Sequence, residues 1–473
     1  MALTKAENCS KSRLYDFVII GSGPAGVAAA VQASKIGKRV VIVEKHPEKL
    51  GGTWLHFGTI PSKTIREVLA TVQSLRPHFG EKWVSRLVNG LSIEQLMERA
   101  QSVSADEEVL VLKHLKANNI EIIRGFGSVA SGTSVKVHPE QGDPFLIDAR
   151  KIMVATGSSP RRPADVPFDG WRILDSDHLL SIETLPSSIM IYGAGVIGCE
   201  YACIFGALGI KTTIVDVRSK IMQNIDQDLA VHLQKMMEVL GINFILGKSL
   251  KKISTASSHA VLELADRKVE AEVCFFAAGR VSQTNGMGLE DLGIETNAAG
   301  AITVNDYFQT KISTVYAAGD AIGPPALAST SLEQGRIAAN HAFGNSNRTF
   351  PRVFPLGIYT IPELSSVGLS EEKVKESGEA YVVGSAMYDE VARGCIRGES
   401  HGLLKIIVAK ENQKILGVHI AGSDAANLIH IGLCCMLADL PITALVDSMV
   451  FNYPTLAEAY RVAAFNAINK LDN

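Results

Sequence analysis

Two glycine triads, each followed at a fixed distance by an acid, are the residues of this chain best placed to do chemistry. Gly21, Gly23 and Gly26 stand at GxGxxG spacing in GSGPAG, and Gly193, Gly195 and Gly198 repeat the spacing in GAGVIG, 172 residues later. In such a turn the first glycine allows a tight reversal, the second lets a pyrophosphate approach the backbone, and the third lets helix and strand pack closely. A helix opening on the turn adds a positive dipole and free N–H groups. Eighteen residues after the last glycine of each triad comes a carboxylate, Glu44 or Asp216, suited to accept from a ribose hydroxyl. Two complete fingerprints imply two dinucleotides bound by one chain.

The elements that must position these residues are legible around both copies. DFVII (16–20) reads as an apolar strand, VAAAVQASKIG as a helix and RVVIVE as a second strand; SSIMIY, CEYACIFGALG and KTTIVD repeat the series. Beyond Asp216 the signal is mixed. An aspartate there favours a free 2′-hydroxyl and repels a 2′-phosphate, whereas Arg218 and, more loosely, Lys220 could reach a 2′-phosphate; Arg218 also reads as a solvent-exposed turn residue.

Residues 61–75 read as a helix with Pro61 near its start, which puts Lys63 in the first turn. A cation gains nothing from a helix N-terminus, so Lys63 asks for a local partner. Glu200, early in the helix after the second triad, is suited to the helix dipole. The segment 91–118 has a charged helical pattern. Asp320 follows the apolar run VYAA, where an aspartate without partners would be costly, so a ligand contact is expected.

Composition narrows the class. The chain has 473 residues, enough for about three domains of ~150 residues. Its net charge of −3, with both signs mixed along the chain, offers no basic face for nucleic acid or membrane. Seven cysteines, at 9, 199, 203, 274, 395, 434 and 435, form neither a disulfide framework nor a metal-type CxxC pair, so no metal is expected. The polar N-terminus lacks a signal-peptide core and no run of ~18 apolar residues occurs, which fits a cytoplasmic protein with small-molecule partners.

These motifs resemble the flavoprotein disulfide reductases, a family that includes lipoamide dehydrogenase, glutathione reductase and mercuric reductase. The likeness rests on GSGPAG, on GGTWLHFGTIPSK (51–63), on the ATG at 155–157, on YGAGVIGCEYA, on AAGR ending at Arg280, and on AAGDAIG with Gly319 and Asp320. It implies FAD at the first fingerprint and NAD(P)(H) at the second. It implies FAD contacts from Glu44, Lys45, Gly52, Thr53, Thr156, Gly157, Gly319, Asp320 and Ala328. Gly279 and Arg280 would lie near the nicotinamide nucleotide, and Lys63 would lie by flavin N5, paired with Glu200.

The family's chemistry runs through two cysteines in the 51–63 loop, and here Trp54 and Thr59 stand in their places. Neither can form a disulfide or a thiolate. The C-terminal segment FNYPTLAEAYR has Asn452 and Glu458 where the family carries a histidine and a glutamate, so the proton carrier for thiol chemistry is missing too. Loss of both halves beside intact nucleotide frames is similar to one branch of the family, the soluble pyridine nucleotide transhydrogenases, although Trp54 departs from the lone cysteine expected in that branch. The resemblance implies an α/β fold with two Rossmann-like dinucleotide-binding domains and a C-terminal α+β dimerisation domain in a homodimer or higher oligomer. The expected division is 1–160 and 284–350 for FAD, 161–283 for NAD(P), and 351–473 for the dimer interface. The implied activity is ping-pong hydride transfer between NADPH or NADH and the other oxidised nucleotide through flavin N5, with Lys63 and Glu200 as the catalytic pair. The alternative is an FAD-dependent NAD(P)H:quinone reductase.

Overall fold

The apolar run LYDFVII forms the strand Leu14–Ile20, which pairs in parallel with Val40–Glu44 on one side and Phe145–Val154 on the other. The computed structural model describes residues 14–256 and 258–471, so the polar N-terminus and Cys9 lie outside the described residues. Strands covered on both faces need no polar alternation. Accordingly Phe17, Ile19, Ile42 and Met153 enter one buried cluster, and Val18, Ile20, Val41, Val43, Ile152 and Val154 enter another. Each such side chain withdrawn from water contributes roughly 1.5–3 kcal/mol.

Glu121–Arg124 and Val315–Ala317 extend this sheet in parallel, while Ser134–His138 and Phe126–Ser131 add an antiparallel flank. Four parallel strands therefore end at Ile20, Glu44, Val154 and Ala317 along one edge. The residues that follow them, Gly21, Thr156, Gly157, Gly319 and Asp320, are brought to that edge from far apart in the sequence. Ligands of open α/β sheets bind outside the carboxyl ends of such strands. The helix Pro24–Lys35 starts with proline at its first position and packs on Ala328–Ala342, where Gly335 lies so close to the Ala25 backbone that a Cβ would not fit.

The chain divides into two compact units: one holds the described parts of Met1–Ser62, Met97–Arg161 and Gly279–Phe350, the other those of Lys63–Leu96, Arg162–Ala278 and Pro351–Asn473. In the second unit the βαβ pattern recurs. Its parallel sheet runs Asn243–Leu246, Lys211–Asp216, Ser188–Tyr192, Val273–Phe276, Ile173–Leu174, with the helix Val196–Ala207 after the second triad. The C-terminal part is a five-stranded antiparallel sheet from Leu356–Ile358 to Ile415–Ala421, covered by helices Ala425–Leu437 and Glu458–Leu471. The α/β class, the two Rossmann-like repeats and the C-terminal α+β region are thus present as expected.

Boundaries moved by small amounts. The helix expected at 61–75 is Thr59–Ser74, so Pro61 is its third residue, where the missing N–H has no helical acceptor to lose. The helix expected at 91–118 is Ile93–Ala117. Among the described residues no helix is long and apolar enough to cross a membrane, and no cluster of His, Cys, Asp and Glu is arranged to hold a metal.

Candidate active site

In the first unit the turn is tight because it has no room for side chains. A Cβ on Gly21, whose φ is +102°, would collide with the Ala155 carbonyl, and one on Gly26 would collide with the Gly21 carbonyl. A Cβ on Gly23 would come no closer than 3.9 Å to its neighbours, which leaves the outer face of the turn open to a ligand. No side chain caps the helix Pro24–Lys35 among the described residues, so its N-terminal amides remain available to an anion. The Ser22 amide donates to Glu44 Oε2 at 2.8 Å and the His46 amide to Oε1 at 2.9 Å. The following loop closes on the same turn, with Gly51 N–H donating to Ser22 Oγ at 3.2 Å and Gly52 lying against Gly23. The cradle fits the pyrophosphate of a dinucleotide, and each Glu44 oxygen keeps a lone pair for a ribose hydroxyl.

The adjoining strand ends are cross-linked. Thr156 Oγ1 donates to the Gln283 carbonyl at 2.7 Å, and the Gln283 amide donates to the Gly157 carbonyl at 2.9 Å. Gly319, at φ +72°, donates its N–H to Gln334. Ser158 Oγ donates to Asp320 Oδ2 at 2.6 Å and accepts from Arg280 Nε at 2.8 Å, while Arg280 Nη2 donates to the Ser158 carbonyl at 2.7 Å. Arg280 and Asp320 are therefore linked through Ser158, a residue that sequence reasoning did not single out. Gly279, at φ +105°, and Arg280 belong to this unit. Ala328 opens its helix and Thr53 opens the short helix Thr53–His56, both partly buried, whereas Lys45 is exposed.

The second unit repeats the frame and adds charge. Gly193, at φ +122°, would place a Cβ 2.6 Å from the Ala277 carbonyl, Gly198 has no room against the Gly193 carbonyl, and Gly195 is open. The Ala194 amide donates to Asp216 Oδ2 at 2.6 Å. Asp216 also receives the Arg218 amide at 2.8 Å and both arms of the Arg218 guanidinium, Nε at 2.9 Å on Oδ1 and Nη2 at 2.6 Å on Oδ2. Burial works to raise the Asp216 carboxyl, but the Arg218 and Ala194 hydrogen bonds outweigh it and hold the group below the usual range. Arg218 is thus neither a free turn residue nor already extended toward a phosphate.

Lys63 finds the partner its position demanded. Its Nζ donates to Glu200 Oε2 at 2.6 Å and lies 5.3 Å from the centre of the Tyr359 ring. The other Glu200 oxygen accepts the Tyr359 amide at 2.8 Å. Glu200 is the fifth residue of the helix Val196–Ala207, beyond its first turn, so these partners rather than the helix dipole account for a carboxylate only 6% exposed. One turn after Lys63, Arg66 donates to the Thr360 carbonyl at 3.1 Å and to Glu363 at 3.2 Å, fixing the segment that carries Tyr359. Neither Tyr359 nor Arg66 was foreseen from the sequence.

The loop in which the family carries its disulfide holds no cysteine here. Thr59 starts its helix, and the Trp54 indole packs against the core of the first unit. Burial pushes the Cys199 thiol well up and Cys203 up to about 12, and raises Cys274 as well. None of these three offers a thiolate. Asn452 and Glu458 do not bond each other: the Thr455 hydroxyl donates to the Asn452 carbonyl at 2.7 Å, and the Thr455 amide to Glu458 at 3.5 Å.

Residues 15–335 match the family described as pyridine nucleotide-disulphide oxidoreductase, and residues 354–464 match its dimerisation domain. The chain is 41% identical over 463 residues to a soluble pyridine nucleotide transhydrogenase of Mycobacterium tuberculosis, covering 97% of this chain and 98% of the relative. A protein of the same name from Marinomonas sp. is 37% identical, covering 97% and 99%. Among solved structures, the copper(II) complex of RclA, a HOCl-induced flavoprotein disulfide reductase of Escherichia coli, aligns with a TM-score of 0.87 at 27% identity over 96% of this chain and 99% of that one. LpdA of Mycobacterium tuberculosis aligns with a TM-score of 0.87 at 25% identity, covering 95% and 99%.

Proposed function

The chain belongs to the pyridine nucleotide-disulphide oxidoreductase family, and on that premise we propose that it is an FAD-dependent pyridine nucleotide transhydrogenase. The observation that carries the reading is that two glycine turns, each closed by an amide onto an acid 22 residues away, sit in one chain whose redox loop has no thiol. Such a chain can hold two dinucleotides and has no disulfide to which electrons could pass.

FAD, when bound, supplies a two-electron store that accepts a hydride from one nicotinamide and returns it to another. Gly21, Gly23, Gly26 and the helix after them hold its pyrophosphate. Glu44 accepts from its ribose, and Asp320, held in place by the Ser158 hydroxyl, faces its polyol. Lys45, Gly52, Thr53, Thr156, Gly157, Gly319 and Ala328 complete that site. Gly193, Gly195 and Gly198 hold the pyrophosphate of NAD(H) or NADP(H), which visit in turn, with Asp216 and Arg218 at the adenosine ribose and Gly279 and Arg280 toward the nicotinamide. Lys63 presents a fixed positive charge to the electron-rich reduced ring, and Glu200 balances it in the resting enzyme. The chain works as a cytoplasmic homodimer, divided as 1–160 with 284–350, 161–283, and 351–473.

Anaerobic reduction with one equivalent of NADPH, followed by NAD in a stopped-flow spectrometer, tests the reading. Rapid recovery of the oxidised flavin spectrum with NADH formation is expected. A flavin that stays reduced until a quinone is admitted would replace transhydrogenation with quinone reduction.

A further inference from the structure

Asp216 and Arg218 hold each other in a way that neither pure NAD nor pure NADP selectivity requires. A carboxylate has about four acceptor positions. On Asp216 all four are taken: the Ala194 and Arg218 amides hold two, and the Arg218 guanidinium takes one on each oxygen. The Asp216 side chain is 4% exposed and that of Arg218 39%, so the arginine is the member with room to move. The two amide bonds come from backbone held by the turn and the strand end, independently of the guanidinium.

We propose that the Arg218–Asp216 fork is a latch that both nucleotides must open, and that it brings their affinities close together. This inference rests on the reading that one site serves both. A 2′-hydroxyl can reach a lone pair of Asp216 only by displacing an arm of the fork, which reduces the advantage an aspartate otherwise gives NAD. A 2′-phosphate draws the whole guanidinium away, and its attraction to that group offsets the repulsion from the exposed carboxylate. A ping-pong enzyme that must bind and release both nucleotides at one site is served by such levelling, since a strong preference for either would block the half-reaction of the other.

The test is isothermal titration of the FAD-loaded protein with 5′-AMP and with 2′,5′-ADP, which differ only in the 2′-phosphate. Arg218→Gln should weaken 2′,5′-ADP by about 10- to 100-fold, the worth of a charge-assisted phosphate contact. It should also tighten 5′-AMP by about 3- to 10-fold, because Asp216 regains free acceptor positions. The second effect is the distinctive one: an arginine that merely binds phosphate would leave 5′-AMP unchanged. Asp216→Asn should shift the ratio the other way, and its gain for 2′,5′-ADP should shrink in the Arg218→Gln background. Arg218→Lys, which keeps the charge without the fork, should still tighten 5′-AMP and provides a reading if the glutamine variant folds poorly. Unchanged or weaker 5′-AMP binding in both Arg218 variants overturns the latch. Probe ratios that shift as described while the wild type passes no hydride from NADPH to NAD would sink the transhydrogenase reading and leave the latch standing.

Discussion

The two nucleotide turns share one backbone design and differ in the side chains set on it. Both join a GxGxxG turn to an acid 22 residues beyond the closing amide, and both press their first glycine against a carbonyl at the end of a neighbouring strand, Ala155 in one and Ala277 in the other. Two residues after the last glycine, the first helix carries Ala28 and the second Glu200; two residues after the acid, the first strand is followed by His46 and the second by Arg218. His46 gives Glu44 only its amide, whereas Arg218 gives Asp216 an amide and a guanidinium. The two turns thus share a frame suited to one class of ligand, and on the proposed function the charges at two equivalent positions separate a site that retains its dinucleotide from one that exchanges it.

The largest effect should come from filling the turns. Gly26→Val should yield protein without FAD, while Gly198→Val should stay yellow and lose reduction by either nucleotide more than about 100-fold, since neither turn can take a side chain without breaking. Flavin absorbance per protein and anaerobic reduction rates separate the two. If both variants purify colourless, the turns do not have separate duties.

A smaller loss should follow from the charge that the second helix has and the first lacks. Lys63→Met removes the partner 2.6 Å from Glu200 and should slow flavin reduction about 10- to 100-fold without releasing FAD. Unchanged reduction kinetics in the stopped flow would return Glu200 to the status of Ala28, a packing residue.

The smallest effect is in acid. The Asp216 carboxyl is depressed below its ordinary value near 3.8, so its contribution to stability is full above that value and is lost as pH falls through the folded pKa. Melting temperatures of wild type and Asp216→Asn should therefore converge as pH falls below the ordinary carboxyl value near 3.8. A gap that stays constant through this fall would show that the Arg218 contact adds nothing to the fold.

How much was legible follows from how local each signal is. A glycine turn, its strand and its acid lie within a short window, so both sites and the α/β class could be read directly. The Lys63–Glu200 pair spans 137 residues and was accessible only through the family resemblance. The Ser158 bridge between Asp320 and Arg280 and the Tyr359 amide on Glu200 depend on contacts that no local periodicity encodes. The Arg218 fork escaped for a different reason. The right residues were named, but a sequence cannot show that a cation near an acid has folded back onto it. The helix expected to begin at Cys199 begins at Val196 because the last glycine of the triad already lies inside its first turn.

The helix Thr59–Ser74 also governs the order in which the protein can be finished. Through Lys63 and Arg66 it grips Glu200 and the pair Thr360 and Glu363, two segments made at separate stages of synthesis. A ribosome delivers the N-terminal part first. Until residue 359 has emerged, Glu200 lacks the amide that takes its second oxygen, and Arg66 lacks both the Thr360 carbonyl and Glu363. The nascent chain can close its first glycine turn early, but the Lys63–Glu200 pair gains its full set of partners only once Tyr359, in the last quarter of the polypeptide, has been made.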